Sequence, residues 1–482
     1  MFQHILTALS PNNIFHSVIT NKKLLNYFLI GYFILAFLTI YFFNGTGDSG
    51  DSIHHYLFAK YAPTHPYLFF DHWAKPLFVL LAAPFAQFGF IGVKVFNVLL
   101  TGFSMYLMVK SAKRMQLKNS LLIFIFILFS PLCYILTFSG LTEPLFAFII
   151  SLSLFFINKK HFILASFLLS FLPFIRSEGL IIIAIFGVFF IYKKHWKALL
   201  ILGFGHLFYS IAGWPFTNDL LWVFNKIPYA HLSSVYGSGS IFHFTTQLFY
   251  VIGAPLYILF VIGFIKISVN AVQKKITSEI FIIVYVGAGA FIIAHSLFWY
   301  LGIFNSMGLK RVLIAIIPLI SIIALEGYNF ITSVIRVNKS WNWMLHAIII
   351  GLILVFPFTS NPAAINFKQD LMLTEDQILV QKLSKYVLDI REQENCIIHS
   401  NPYLSETLSL DHFDQKQRLE FTREYMKFSK SGDIFIWDNW FAVVEHGVLE
   451  ENLNKNTELI HLKDFQTNDS KRDIRYVIFQ RK

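Results

Sequence analysis

Negative charge is what this sequence has least of. Only 28 of its 482 residues are Asp or Glu, and eight of them fall in the first 360 positions. Charged residues of both signs make up 14% of the chain against 56% hydrophobic, with a mean hydropathy of +0.58. That balance excludes an ordinary soluble domain and points to a polytopic helical membrane protein. Cysteine is scarce too: Cys133 lies inside an apolar run and Cys396 far away in the polar tail, which supports neither a disulfide framework nor a thiolate metal site. No repeat of 20 to 50 residues and no low-complexity stretch is visible. The net charge of +11 is not a nucleic-acid footprint, because Lys and Arg sit mainly in short clusters between apolar runs, where they act as topology signals.

What is present is a series of apolar runs. A span needs about 20 mostly apolar residues, fewer when neighbouring helices shield it. Eleven are expected, roughly at 24–43, 89–109, 120–138, 143–157, 162–175, 180–192, 198–213, 246–268, 280–300, 311–326 and 342–360. The first is followed by no small-residue cleavage pattern and reads as an uncleaved anchor. Basic clusters at Lys22/Lys23, Lys110/Lys113/Arg114/Lys118, Lys159/Lys160, Lys193/Lys194/Lys197, Lys274/Lys275 and Arg336/Lys339 fall at alternate connections. The positive-inside rule assigns these to the cytoplasm, so residues 1–23 are expected inside and the tail outside. Twenty of the 28 acidic residues lie from Asn361 onward. There the apolar runs shrink to strand length at Cys396–Ile398, Ile434–Trp437 and Tyr476–Phe479, alternating with helical patterns such as Glu375–Arg391. The expected organisation is a transmembrane helical bundle over 24–360 and a small soluble α/β domain over 361–482 on the outer face.

On this topology Asp48, Asp51, Asp71, Glu143, Glu178 and Asp219 all face outward, and only Glu279 and Glu326 inward. Scarce carboxylates gathered on one face suggest a site there. The first outward loop, 44–88, is the densest stretch: Asn-Gly-Thr-Gly-Asp-Ser-Gly-Asp-Ser-Ile-His-His from Asn44, then His65, Asp71, His72, Trp73, Lys75 and Pro76. Its glycines allow tight turning that holds Asp48 and Asp51 near the membrane surface, where a carboxylate can take a proton from a hydroxyl or help hold a metal ion. The plain alternative is a polar turn capping a helix that starts near Ile53. His54, His55, His65 and His72 match no metal-site spacing, and Asp71-His72-Trp73 reads as an interfacial anchor. His206 and His295, inside spans, read as packed core or cavity residues.

Two short outward turns add to this. Leu-Thr-Glu-Pro at 141–144 joins spans three and four, and Arg-Ser-Glu-Gly at 176–179 joins spans five and six. A charge among apolar residues costs about 2.5–3.5 kcal/mol at mid-membrane and less near the interface, so Arg176 and Glu178 need an offset. An ion pair with a loop carboxylate is one; phosphate on the forked guanidinium is the other. The outward segment Trp214–Thr245, with Tyr229, His231, Tyr236 and His243, is either a mobile cover or a loop lying on the membrane.

The order of these features, acidic residues directly after span one, a Thr-Glu-Pro turn, then an Arg-x-Glu-Gly turn, resembles the GT-C superfamily of membrane glycosyltransferases that use polyprenyl-phosphate sugars, the protein mannosyltransferase and aminoarabinose transferase types included. The likeness covers roughly residues 20–360. It implies an integral protein of a bacterial inner (plasma) membrane that moves a hexosyl or pentosyl group from a polyprenyl-phosphate donor to a lipid, glycan or protein hydroxyl. Asp48 or Asp51 would be the catalytic carboxylate; the superfamily often has its acidic pair adjacent, whereas two residues intervene here, which leaves the choice open. Arg176, Lys75, Lys310 and Arg311 would neutralise the donor phosphate, with Glu143, Glu178, His54, His55 and His72 in support and Mg²⁺ or Mn²⁺ as a possible helper. The tail has Trp-Asp-Asn-Trp at 437–440 but not the Trp-Trp-Asp-x-Gly pattern of oligosaccharyltransferases, which disfavours transfer to asparagine. The competing reading is a transporter or lipid flippase. Such proteins commonly show internal duplication and ionisable groups serving both faces, neither of which is visible here. A scaffold displaying the tail comes last.

Overall fold

A computed structural model describes residues 22–335, 342–392, 394–468 and 473–482. The expected cytoplasmic segment 1–23, apart from its last two residues, and the basic pair Arg336/Lys339 lie outside the described residues.

Among the described residues, six helices are long and apolar enough to cross a membrane: Lys23–Phe42, Gly89–Arg114, Trp196–Thr217, Ala254–Val272, Glu279–Leu301 and Lys310–Val334. Shorter apolar helices, Glu143–Asn158, Phe162–Phe174, Gly179–Tyr192 and Trp343–Phe358, pack among them. The helix from Lys310 is almost wholly buried and forms the axis of the bundle. It meets Ala254–Val272 at Gly263 and Gly327, where a β-carbon on either would strike the facing helix's backbone carbonyl (Ile323 and Leu259), so hydrogen at both positions sets the close crossing.

Two expected spans differ from the expectation. Residues 120–138 form two short helices, Leu122–Leu128 and Pro131–Thr137, because Pro131 lacks an N–H and holds Ser130 extended (ψ 112°). The Ser130 hydroxyl spends itself on Val251 O at 3.0 Å. The expected single span 246–268 is corrected to two helices, His243–Ile252 and Ala254–Val272, hinged at Gly253, whose φ of 79° only glycine tolerates easily.

The first connection is also largely helical. Asp51–Tyr61 and Pro76–Ala86 flank a short 3-10 turn, Pro66–Phe70, and the two helices pack on each other and on Gly89–Arg114.

Beyond the bundle, β1 (Ile397–His399), β2 (Arg418–Leu419), β3 (Ile434–Asp438), β4 (Leu459–Asn468) and β5 (Asp473–Arg481) form one sheet in the order β2-β1-β3-β5-β4. The first three are parallel and the last two antiparallel. Helix Glu375–Ile390 starts at a capping box between Thr374 and Gln377. This small domain seats on the first connection: Lys60 Nζ lies 2.8 Å from Glu406, Tyr61 donates to Leu410 O at 2.8 Å, and His65 Nε2 lies 2.9 Å from Asp411.

Candidate active site

The chain leaves the first helix through Gly45, Thr46 and Gly47. Gly47 has a φ of 86°, and a β-carbon there would collide with Ser139. Ser52 ties this turn to the next: its hydroxyl donates to Thr46 O (2.5 Å) and accepts from Gly140 N (2.6 Å). Asn97 donates to Ser139 O (2.7 Å) and Leu141 O (3.0 Å), so the Leu-Thr-Glu-Pro turn is held from the helix behind it. Helix Asp51–Tyr61 begins as the plain capping expectation had it, with Asp48 Oδ1 accepting from Gly50 N (3.0 Å) and Ser52 N (2.9 Å).

These turns deliver the scarce charges to one place. Arg311, at the head of the axial helix, reaches Asp48 Oδ2 at 2.5 Å with one terminal nitrogen, bonds Asp51 with the other, and brings Nε to 3.6 Å from Glu143 Oε1. Glu143 is fully buried, and the same Oε1 accepts from Arg176 at 2.8 Å. Arg176 also bonds Glu178 (3.0 Å), whose carboxylate is 4.0 Å from His295 Nε2. The result is one continuous chain of charge from Asp51 to Glu178, with the His295 ring at its end. The pairing of Arg176 with loop carboxylates is thus present, but with two partners and a second guanidinium sharing Glu143. Glu143 Oε2 and Arg176 Nε remain buried without a hydrogen-bond partner.

The electrostatics separate the two aspartates. Burial raises the Asp48 carboxyl above its ordinary value, partly offset by Arg311. Burial works against Asp51 as well, but Arg311, His55 and His54 prevail and hold it at about 2. Glu178, also buried, is held at about 2 by Arg176 and its other basic neighbours. Burial lowers His54 to about 4 and His55 to about 3, so both rings are neutral at physiological pH.

The remaining candidates are spread around this network. Lys75 sits half-buried as the left-handed residue (φ 68°) before helix Pro76–Ala86; burial lowers its pKa while Glu178 and Asp51 oppose the shift. Lys310 carries its Nζ 5.7 Å from the centre of the Tyr250 ring. His55 stacks on Trp73 at 5.4 Å, and His54 lies edge-on to it. His72 turns to Val223 O (3.3 Å), outside the charge network, and burial lowers it to about 4. Trp73 is no free anchor: its indole N–H donates to the Tyr229 hydroxyl at 2.7 Å. Asp219 caps its own turn through Leu221 N (2.8 Å). The two acidic residues expected inward pair with lysines, Glu279 with Lys193 (3.4 Å) and Glu326 with Lys266 (2.5 Å). His295 packs against Phe244 and Phe291, and His206 stacks on Phe224.

A metal ion fits this donor set poorly. Oxygens of both Asp48 and Asp51 are spent on Arg311, and among the described residues no three or more His, Cys, Asp or Glu side chains gather as a ligand group.

Sequence reasoning missed the small domain's share of the site. Gln377 Nε2 donates to Thr46 Oγ1 (2.7 Å), whose hydroxyl donates to Asp48 O (2.6 Å), and Gly45 N donates to Leu371 O (2.7 Å). A side chain at Gly50 would lie 3.6 Å from the Phe441 ring, and Tyr236 bonds Glu445 (3.0 Å). Nothing in the local sequence marks these long-range contacts. The centrality of Arg311 did leave a signal: Lys310-Arg311 is a basic pair at the end of a span that the other basic clusters assign outward, against the positive-inside rule.

No protein-family model matches the sequence, and no curated relative does. Among solved structures, the crystal structure of ArnT from Cupriavidus metallidurans bound to undecaprenyl phosphate superposes with a TM-score of 0.59 at 10% identity, covering 93% of this chain and 97% of that one. The apo structure of the same protein gives 0.59 at 10% identity, covering 94% and 96%. At this identity the likeness concerns architecture alone: from bundle to C-terminal sheet the chain has the same fold as that protein.

Proposed function

We propose that this chain is a membrane glycosyltransferase that takes a sugar from a polyprenyl-phosphate donor and places it on an acceptor hydroxyl at the outer face. The observation that carries the reading is the network itself: two guanidiniums share one buried carboxylate beside two first-loop aspartates. The fold likeness to a protein whose crystal structure holds undecaprenyl phosphate supports the choice of donor.

The leaving group, a lipid phosphate, is already an anion and needs no general acid. Its charge must be met as the bond to the sugar lengthens, which suits Arg311 and Arg176 through charge-assisted bonds in a site with little water. Four carboxylates against two guanidiniums and Lys75 leave the cluster with excess negative charge, so phosphate enters as a competitor for the guanidiniums. As Arg311 turns to the phosphate, Asp51 loses its main counter-charge and becomes a better base. Asp51 suits that role because Arg311 engages one of its oxygens, whereas both Asp48 oxygens are occupied in holding the turn and Arg311. Asp51 then takes the acceptor proton, the acceptor oxygen attacks the anomeric carbon in line, and polyprenyl phosphate departs with inversion at that carbon. No step runs through a divalent cation, and EDTA is expected to leave transfer unchanged.

The test is reconstitution of the purified protein in liposomes with a panel of labelled polyprenyl-phosphate sugars, comparing wild type with Asp51→Asn, Asp48→Asn and Arg176→Ala. Transfer by the wild type with strong loss in the variants is expected. Equal transfer by all four proteins removes the site assignment, and solute movement without glycosidic bond formation removes the transferase.

A further inference from the structure

Beside the charge network lies a cavity of about 470 Å³ that the mechanism above does not use. It is within the size range of small-molecule sites, about 300–1,000 Å³. Its walls come from two segments far apart in sequence: Tyr67, Phe70, Asp71 and Trp73 of the first connection, and Phe216 and Tyr229 of the segment after Trp214. Five aromatic rings line it together with one carboxylate, Asp71, and one ammonium, Lys226. Phe70 and Phe216 stack at 4.9 Å and 18°, and the bond from Trp73 to the Tyr229 hydroxyl joins the walls on the other side.

The chemistry of that lining selects its occupant. Electron-rich ring faces attract the weakly positive C–H faces of a pyranose or furanose ring, and rigid aromatic walls lose little entropy in doing so. Asp71 commits Oδ1 to Ala74 N at 3.0 Å, which fixes the carboxylate so that its other oxygen can accept from hydroxyl groups. A purely apolar ligand would strand the carboxylate.

Position adds a second argument. Trp73 is a wall of the cavity on one side and packs on His54 and His55 on the other. Those histidines stand three and four residues after Asp51 on the same helix, and so on its face. The Trp73 indole and these imidazoles therefore stand between the cavity and the proposed base.

We propose that this cavity is a saccharide-binding subsite, holding a sugar ring of either the donor or the acceptor while the reacting atoms meet at Asp51. The inference deepens the transferase reading and rests on it for the naming of donor and acceptor. Asp71→Asn keeps the volume and the bond to Ala74, and Phe216→Ala shortens an exposed ring, so both variants are expected to fold. In the transfer assay each is expected to raise the KM of one substrate about tenfold or more with kcat retained. A rise for the donor places the donor sugar in the cavity, and a rise for the acceptor places the acceptor there. Both KM values unchanged would overturn the subsite. If the wild type transfers nothing from any polyprenyl-phosphate sugar, the transferase reading falls and binding decides the cavity alone. Saturation-transfer NMR with methyl mannoside, methyl glucoside and methyl N-acetylglucosaminide, on protein in nanodiscs, should then show signals for wild type and Asp51→Asn that are lost in Asp71→Asn. Absent or unaltered signals would overturn the proposal.

Discussion

Asp51 and Asp48 are three residues apart and receive opposite treatment from the same surroundings. Both are drawn partly out of water, yet Arg311, ahead of His55 and His54, holds Asp51 at about 2 while Asp48 is pushed up. Pairs of carboxyls whose environments drive their pKa values apart are a recurring arrangement in acid–base chemistry. Asp51→Asn is expected to lower kcat by about 10² to 10⁴ with donor KM little changed, as measured by initial rates over donor concentration. The pH dependence has a definite sign. With Asp51 at about 2 in the free enzyme, its base form persists through acidic pH, so kcat/KM should show no acid limb from this group above about pH 4. Arg311→Gln removes the first counter-charge and leaves burial to dominate, so the pKa rises and activity is lost progressively as pH falls through the new value. Profiles of the two proteins between about pH 4 and 8 that coincide would contradict this account of Asp51.

The elements that matter are turns held from outside themselves. The first-loop turn carrying Asp48 is gripped by Ser52 from within, by the Leu-Thr-Glu-Pro turn on one side and by helix Glu375–Ile390 on the other. Gln377 belongs to that helix's capping box and reaches across to Thr46, so a helix start in the small domain positions a carboxylate in the bundle. Gln377→Leu should cost stability on the order of 0.5–1.5 kcal/mol, the net worth of a typical hydrogen bond. It should also lower kcat more than either KM, and Gln377→Glu, whose carboxylate cannot donate to the Thr46 hydroxyl oxygen, should not restore it at neutral pH. Thermal melting alongside initial rates separates the two effects, and a Tm change without any change in kcat would reduce Gln377 to a structural contact.

At the scale of the molecule, the charge network and the C-terminal sheet occupy the same end of the bundle, and the lysine-paired Glu279 lies at the opposite end of helix Gly179–Tyr192, whose C-terminal flank is Lys193. The outward assignment of that first end follows from the basic clusters and has a direct test. In intact cells, a membrane-impermeant maleimide should label Glu451→Cys and spare Lys275→Cys, both exposed positions on opposite ends, in a chain whose natural Cys133 and Cys396 are buried. The reverse pattern would put the proposed site on the cytoplasmic face, away from an external acceptor.

How much of this was legible beforehand varied with the kind of physics involved. Apolar runs are local, and the helical positions followed from them except where a single residue intervened: Pro131 broke one expected span and Gly253 divided another. In the tail, the apolar runs at 396–398, 434–437 and 476–479 mark the strands found at 397–399, 434–438 and 473–481, but the two-residue β2 exists only because β1 offers it a partner. Local sequence predicts the first connection as a loop with one capped helix, whereas its second helix, Pro76–Ala86, forms by packing on its neighbours.

The sequence by itself determined the solvent of this protein and the rarity of its carboxylates, because hydropathy and charge are properties of residues and act over single helices. It could name Asp48, Asp51, Glu143, Arg176 and Arg311 as expensive residues needing a purpose. Only the tertiary structure decided that they form one network through Glu143, that Lys310 carries its Nζ to the Tyr250 ring, and that Gln377 reaches Thr46 from more than 300 positions away. Hydrogen bonds and ion pairs act over a few ångströms, and which groups come that close is fixed by how helices pack rather than by their order along the chain.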